Sequence, residues 1–233
     1  MQYLGGKFRI AKEVCDVINS LLSNFEYYIE PFVGGANIVC GVVHPKRLAM
    51  DANEALITMY QALQNGWEPP EFVSEDEYAE LKATQDSQNP LTAFAGFGCS
   101  FGGKWFGGYA GKGNRNYALN AKNSLGKKIT ALKNVKFVAG DYTSFVYPQN
   151  SLIYCDPPYA DTTGYDGVKG KFNSDVFWDW CRRQSQTGNF VLVSEYSAPS
   201  DFMSILTIET KTDMRTKSGA KSVRREELWM YVG

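Results

Sequence analysis

An open α/β sheet with helices on both faces, interrupted by one long inserted region, is the fold that this sequence predicts. Three observations carry the prediction. The apolar run Leu152-Ile153-Tyr154-Cys155 stops abruptly at Asp156-Pro157-Pro158-Tyr159, as a buried strand does at the carboxyl edge of a sheet. Tyr27-Tyr28-Ile29 runs into Glu30-Pro31-Phe32-Val33-Gly34-Gly35 and the apolar segment Ala36 to Val43, the strand, glycine turn and helix of a nucleotide-binding unit. Arg47 to Met50 is a second short strand ending in an acid, Asp51, about 20 residues after the glycines, where a carboxylate meets ribose hydroxyls or caps the next helix.

In chain order, Lys7 to Leu22 places Ile10, Val14, Val17, Ile18, Leu21 and Leu22 at helical spacing behind Gly5-Gly6. Asn53 to Leu63 is a second amphipathic helix. The βα rhythm then stops. Residues 64–136 are read as the insertion: an acidic stretch, then a glycine- and aromatic-rich run from Phe94 to Gly113 that cannot be a regular helix, then helical spacing over Asn116 to Leu132. Residues 1–63 and 137–233 form the main domain. Val135 to Ala139 resumes the sheet and ends in Gly140-Asp141, another strand-end acid. A polar loop with Tyr165 and Phe172 follows the Asp156 turn, a helix starts at Ser174-Asp175, and Asn189 to Ser194 and Leu228 to Val232 are the last strands.

Composition excludes several classes. In 233 residues no apolar run approaches the roughly 20 needed to span a bilayer, and Met1 to Ile10 lacks a signal-peptide core, so a cytoplasmic location is expected. Cys15, Cys40, Cys99, Cys155 and Cys181 show no C-x-x-C pair and read as reduced core thiols, without a metal site. His44, the lone histidine, stands beside Pro45 in a loop, so imidazole-based triad chemistry has no base. Net charge is -1, yet there is no Asp or Glu from Leu91 to Gly140, while Lys104, Lys112, Arg115 and several further lysines fall there. A second basic cluster includes Arg224 and Arg225. Phe101, Lys104, Trp105, Tyr109, Lys112 and Arg115 are therefore expected contacts to bases and phosphates, with Tyr165 and Phe172 as base contacts or a lid.

The Asp156 turn has its own chemistry. Pro157 and Pro158 lack N–H groups and stiffen the turn, so a carboxylate, carbonyls and the Tyr159 ring are held together in a set suited to a planar group bearing NH2. An ordinary strand end with a capping Asp fits that motif equally well, and the rest of the chain decides.

Taken in order, the motifs resemble the α-group, Dam-type, DNA adenine-N6 methyltransferases. The matching pieces are Tyr3-Leu4-Gly5-Gly6-Lys7, Glu30 to Gly35, Asp51, the insertion, Asp156 to Tyr159, and Arg224-Arg225-Glu226-Glu227-Leu228 before the last strand. The resemblance implies a Rossmann-like methyltransferase sheet with an inserted target-recognition subdomain, S-adenosylmethionine as cofactor and double-stranded DNA as partner. It implies cofactor contacts at Tyr3, Lys7, Glu30, Phe32, Gly34, Asp51, Asp141 and Asp156. Catalysis would fall to Asp156, Pro157 and Tyr159 acting on a flipped-out adenine, with Arg224 and Arg225 on the DNA. The run Asn-Arg-x-Gly-Tyr-Asn-Gly that accompanies GATC recognition is replaced by Cys99-Ser100-Phe101-Gly102-Gly103-Lys104-Trp105, so the recognition sequence stays open. So do oligomeric state and biological role: phage, restriction-modification or regulatory. Methylation of RNA adenine or protein glutamine, and DNA binding by a non-catalytic relative, remain the alternative functions.

Overall fold

The structure, a computed structural model, describes residues 1–111, 115–158, 172–215 and 221–233. Its sheet has seven strands: β1 (Tyr27–Glu30), β2 (Arg47–Asp51), β3 (Val135–Ala139), β4 (Ser151–Cys155), β5 (Phe190–Glu195), β6 (Phe202–Arg215) and β7 (Lys221–Tyr231). They lie in the order β3-β2-β1-β4-β5-β7-β6. The first five are parallel; β7 runs antiparallel to β5, and β6 antiparallel to β7. The chain order reverses between β1 and β4. That switch point is where the carboxyl ends of neighbouring strands open a crevice.

Burial on both faces explains the unbroken apolar strands. In β4, Leu152 and Tyr154 enter one core cluster while Ile153 and Cys155 enter the other, the period-2 division of a strand covered on both sides. One face is covered by α1 (Ala11–Leu21) and α2 (Glu54–Gln64), and the other by α7 (Ser174–Gln186) with Tyr142 and Tyr147. The α/β expectation is therefore met. Cys155 is fully buried and His44 lies in a loop, its ring nitrogens beside the Phe25 and Lys46 carbonyls.

Residues 64–136 contribute α3 (Glu75–Thr84), α4 (Pro90–Ala93), α5 (Tyr117–Gly126) and α6 (Ile129–Leu132). Phe94 to Gly98 continues α4 as a wider π-helical turn, and a 3₁₀ turn covers Phe101 to Gly103. Phe94, Phe97, Trp105, Phe106, Ala118 and Leu125 join the same core cluster as α1 and α2, so the region packs directly on the main domain.

Three expectations need correction. Residues 36–43 do not form the helix read after the glycine turn: Gly34 and Ala36 both have positive φ, and the segment folds into successive tight turns. The α2 cap is Asn53, whose side chain accepts from Leu56 N–H, and not Asp51. The Arg224-to-Leu228 segment lies inside β7, not before it, because β7 begins at Lys221 and pairs along most of its length with β6. Among the described residues no helix is long and apolar enough to cross a membrane.

Candidate active site

The carboxyl edge of the sheet gathers acids. β1 ends in Glu30, β2 in Asp51, β5 in Glu195, and Asp156 follows β4 directly. Into this row the N-terminal loop inserts Lys7, which is 5% exposed. Its ammonium lies 2.6 Å from Asp156 Oδ1 and 2.8 Å from Glu226 Oε1 of β7. Burial disfavours the Lys7 charge, but the two carboxylates outweigh it and the ammonium is held above the usual lysine value.

The acids are raised as well, which for them disfavours the charged form. Burial raises Asp156 to about 6, with Glu226 adding to the rise and Lys7 opposing it. Burial likewise raises Glu195 to about 7, against a hydrogen bond from Tyr196 N–H and the Lys7 charge. Glu30, 2% exposed, accepts from the Tyr28 hydroxyl at 3.0 Å and is still held well above the carboxylate range, first by burial and then by Asp156. Around Lys7 there are more carboxylates than cations, and that edge favours a positively charged ligand.

The glycine turn after β1 sits beside this cluster. Gly34 N–H donates to Asp51 Oδ2 at 3.0 Å, and Asn53 N–H to Oδ1 at 2.9 Å. Each oxygen keeps a lone pair, and burial raises Asp51 to about 6 against those two bonds. The Tyr60 hydroxyl donates to Gly34 O at 2.7 Å. The Tyr3 ring lies against the turn so closely that a Cβ on Gly34 would stand 2.8 Å from Tyr3 Cε1. Glycine is needed here twice over, for φ of +43° and for the close approach.

Phe32 turns to the other face, its ring 5.2 Å from Tyr142 and 5.8 Å from Phe177. Asp141 is exposed, and its Oδ1 accepts from both the backbone and the hydroxyl of Thr143.

The residues expected to meet nucleic acid separate into groups. Lys104, Arg115 and Arg225 are exposed, Arg115 with its guanidinium 5.2 Å from the Tyr117 ring centre. Tyr109 is half-buried and its hydroxyl donates to Val73 O. Trp105 must be withdrawn as a surface contact. It is 8% exposed, its ring sits 4.8 Å from both Phe97 and Phe106, and its Nε1 donates to Gln85. Phe172 is half-buried, 6.1 Å from Phe32 and 5.5 Å from Phe177, and belongs to that aromatic cluster, not to a free surface. Lys112, Tyr159, Tyr165 and the Arg224 side chain lie outside the described residues.

Three residues at this edge escaped the sequence reading. Glu195 was one residue beyond the strand read as ending at Ser194, and the strand-end acid pattern would have found it. Glu226 lay within a quoted motif, but its partner is at the other end of the chain. Lys128 donates from α5–α6 to Gly35 O at 2.5 Å and to Asn37 Oδ1 at 2.7 Å, a contact no local pattern announces. Among the described residues no cluster of His, Cys, Asp and Glu is placed to hold a metal ion.

Residues 3–95 match the family of D12 class N6 adenine-specific DNA methyltransferases. The match takes in Tyr3, Lys7, Glu30 and Asp51 and stops before Asp156. The chain is 25% identical over 214 residues to the type II methyltransferase M.FokI of Planomicrobium okeanokoites, covering 79% of this chain and 32% of that protein. It is 25% identical over 211 residues to the modification methylase StsI of Streptococcus sanguinis, covering 77% and 31%. The chain thus spans about a third of the length of these curated relatives. Among solved structures, an rRNA methyltransferase, aviRa from Streptomyces viridochromogenes, is similar over 99% of this chain and 87% of its own, at 10% identity and a TM-score of 0.45. The expected resemblance to adenine-N6 DNA methyltransferases is met by the family match, and both sequence relatives are methyltransferases by name.

Proposed function

We propose that this chain methylates the exocyclic N6 amine of adenine in duplex DNA, using S-adenosylmethionine, after the adenine has turned out of the helix. The observation that carries the reading is the Asp156 carboxylate at the sheet's switch point, fixed 2.6 Å from the buried Lys7 ammonium and followed by Pro157 and Pro158. The names of the two sequence relatives, a type II methyltransferase and a modification methylase, favour a modification enzyme.

The residues fit the cofactor. The carboxyl groups of Asp156, Glu195 and Glu226 around one lysine suit an ammonium and a sulfonium. Asp51 keeps acceptor capacity for ribose hydroxyls, while Tyr3 and Gly34 close the side between them. When bound, the cofactor supplies a methyl group as an electrophile and departs as the neutral thioether.

The chain's own groups prepare the nucleophile. An adenine amine is weak because its lone pair is delocalised into the ring. The Asp156 carboxylate accepts one N–H and the Pro157 carbonyl the other, which draws the nitrogen toward tetrahedral geometry and localises the lone pair. The amine gains the methyl carbon and gives one hydrogen to Asp156, which at about 6 releases it to water near neutral pH. Tyr159 stacks on the base. Adenine within a duplex cannot reach such an edge, so it is flipped. Exposed Lys104, Arg115 and Arg225 contact the phosphates, with Lys112 and Arg224 as the companions expected from sequence.

Transfer of tritiated methyl from S-adenosylmethionine to mixed-sequence duplex DNA tests the proposal. Label is expected in N6-methyladenine for the unaltered chain and lost for Asp156→Ala. Label retained by that variant, or found only in RNA or protein, would overturn it.

A further inference from the structure

The loop from Tyr3 to Lys7 is gripped from both sides. On the sheet side, the Tyr3 ring rests on Gly34 and Tyr3 Cβ on Gly35, where an added Cβ would lie 3.1 Å away. On the other side stands Gly103, buried in the turn after exposed Phe101. A Cβ on Gly103 would come within 2.7 Å of Gln2 C and Tyr3 N and 2.9 Å of Tyr3 Cα, so the approach is backbone against backbone. Leu4 N–H donates to Gly103 O at 3.0 Å. From this grip the chain runs only a few residues to Lys7, which holds Asp156.

We infer that Gly103 is a positioning residue for the cofactor: it seats the Tyr3-to-Lys7 loop on the Gly34–Gly35 turn, and so ties the segment carrying Phe101 and Lys104 to cofactor affinity. This rests on the cofactor reading given above. The neighbouring glycine supplies the control. Gly102 and Gly103 have nearly the same left-handed φ, +64° and +67°, so alanine is strained to a similar degree at either. Around Gly102 an added Cβ meets nothing within 4 Å, whereas at Gly103 it meets main chain.

A second variant acts without adding an atom at Gly103. Tyr3 to Gly6 forms a turn closed by Gly6 N–H to Tyr3 O at 3.0 Å, with Gly5 at φ +77°. Leu4 therefore occupies the second position of a type II turn, which proline favours. Leu4→Pro keeps the turn and deletes the N–H that reaches Gly103.

Calorimetric titration of the full chain with S-adenosylhomocysteine, with circular dichroism to verify folding, tests the inference. Gly102→Ala is expected to bind within threefold of the unaltered chain, and Gly103→Ala and Leu4→Pro at least tenfold more weakly. The KM for cofactor should rise equally while kcat at saturating cofactor stays within threefold, a split that general loosening does not produce. If Gly103→Ala does not fold, Leu4→Pro decides alone. Unchanged affinity in Leu4→Pro, or equal weakening by Gly102→Ala, would overturn the inference. Absence of binding by the unaltered chain would instead overturn the cofactor reading itself.

Discussion

Asp156→Asn separates what Asp156 does for the reaction from what it does to the fold. Its carboxyl is raised from an ordinary 3.8 to about 6, because burial disfavours the anion and Glu226 adds to that, beyond what Lys7 returns. A rise of that size corresponds to roughly 3 kcal/mol by which folding disfavours the ionised form. The sign follows directly. Below about pH 4 the group is protonated in both folded and unfolded chains and no penalty applies. As pH rises from about 4 to about 6 the unfolded chain loses its proton first, and stability falls; above about 6 the loss is complete. Asparagine resembles the protonated acid in shape and charge and still offers Lys7 an acceptor, while Glu226 remains as its counter-charge.

Asp156→Asn is therefore expected to be more stable than the unaltered chain by roughly 3 kcal/mol at pH 8 and equal to it near pH 4. Urea unfolding at a series of pH values measures this directly. Methyl transfer should fall by about 10²–10⁴-fold, because the amide accepts an N–H but cannot take the proton. A variant less stable than the parent at pH 8 would mean that the Lys7 ion pair outweighs burial, and the account of a strained, reactive carboxylate would be refuted.

Lys7→Met leaves Asp156 and Glu226 without their shared cation, so stability should drop by about 3–5 kcal/mol, and the acid limb of the pH–rate profile should move above 6. Glu226→Gln removes a charge that raises Asp156, so the same limb should move to lower pH; a shift in the same direction as Lys7→Met contradicts the arrangement. Trp105→Ala opens a cavity among Phe97 and Phe106 and should lower stability by about 3–5 kcal/mol, while the DNA affinity of the folded protein stays put in filter binding. Lys104→Ala with Arg115→Ala should weaken DNA binding and reduce the slope of log affinity against log salt by about one for each charge in phosphate contact; an unchanged slope removes both residues from the interface.

The parallel strands were legible because burial on both faces leaves continuous apolar runs, and α2 and α7 because one apolar face gives a helical period. The elements that escaped are polar. α3 buries only Tyr78 and Leu81 in an acidic sequence, and its N-cap Ser74 was the available sign. β6 breaks the alternation of an edge strand, with Phe202-Met203 and Ile205-Leu206 adjacent around the register shift between Ser204 and Leu206, and it turns charged from Glu209 onward. The turns of residues 36–43 were misread because positive φ at Ala36, a non-glycine residue, has no signature in sequence. At the site, Tyr3, Lys7, Asp51 and Asp156 stood in recognisable motifs. Their cross-chain partners did not: Glu226 reaches Lys7, and Lys128 reaches Gly35, only through the tertiary fold.

The antiparallel β7 explains how one lysine holds Asp156 without disabling it. Parallel strands present side chains at the functional edge only through their carboxyl ends, and here those ends supply Glu30, Asp51, Asp156 and Glu195. A cation must come from elsewhere, and the N-terminal loop brings Lys7. The ion pair with Lys7 lowers the Asp156 carboxyl and would make it a poorer base, and burial is the chief force that opposes it. β7 crosses the same edge in the opposite direction, with Glu227 opposite Glu195, and so carries Glu226 onto the other side of the ammonium. Glu226 offsets the field of Lys7 at Asp156, while the 2.6 Å contact continues to fix where Asp156 points. Lys7 thereby sets the placement, while burial, with Glu226 adding to it, leaves a carboxylate near 6 at an edge that contains a lysine within hydrogen-bond reach.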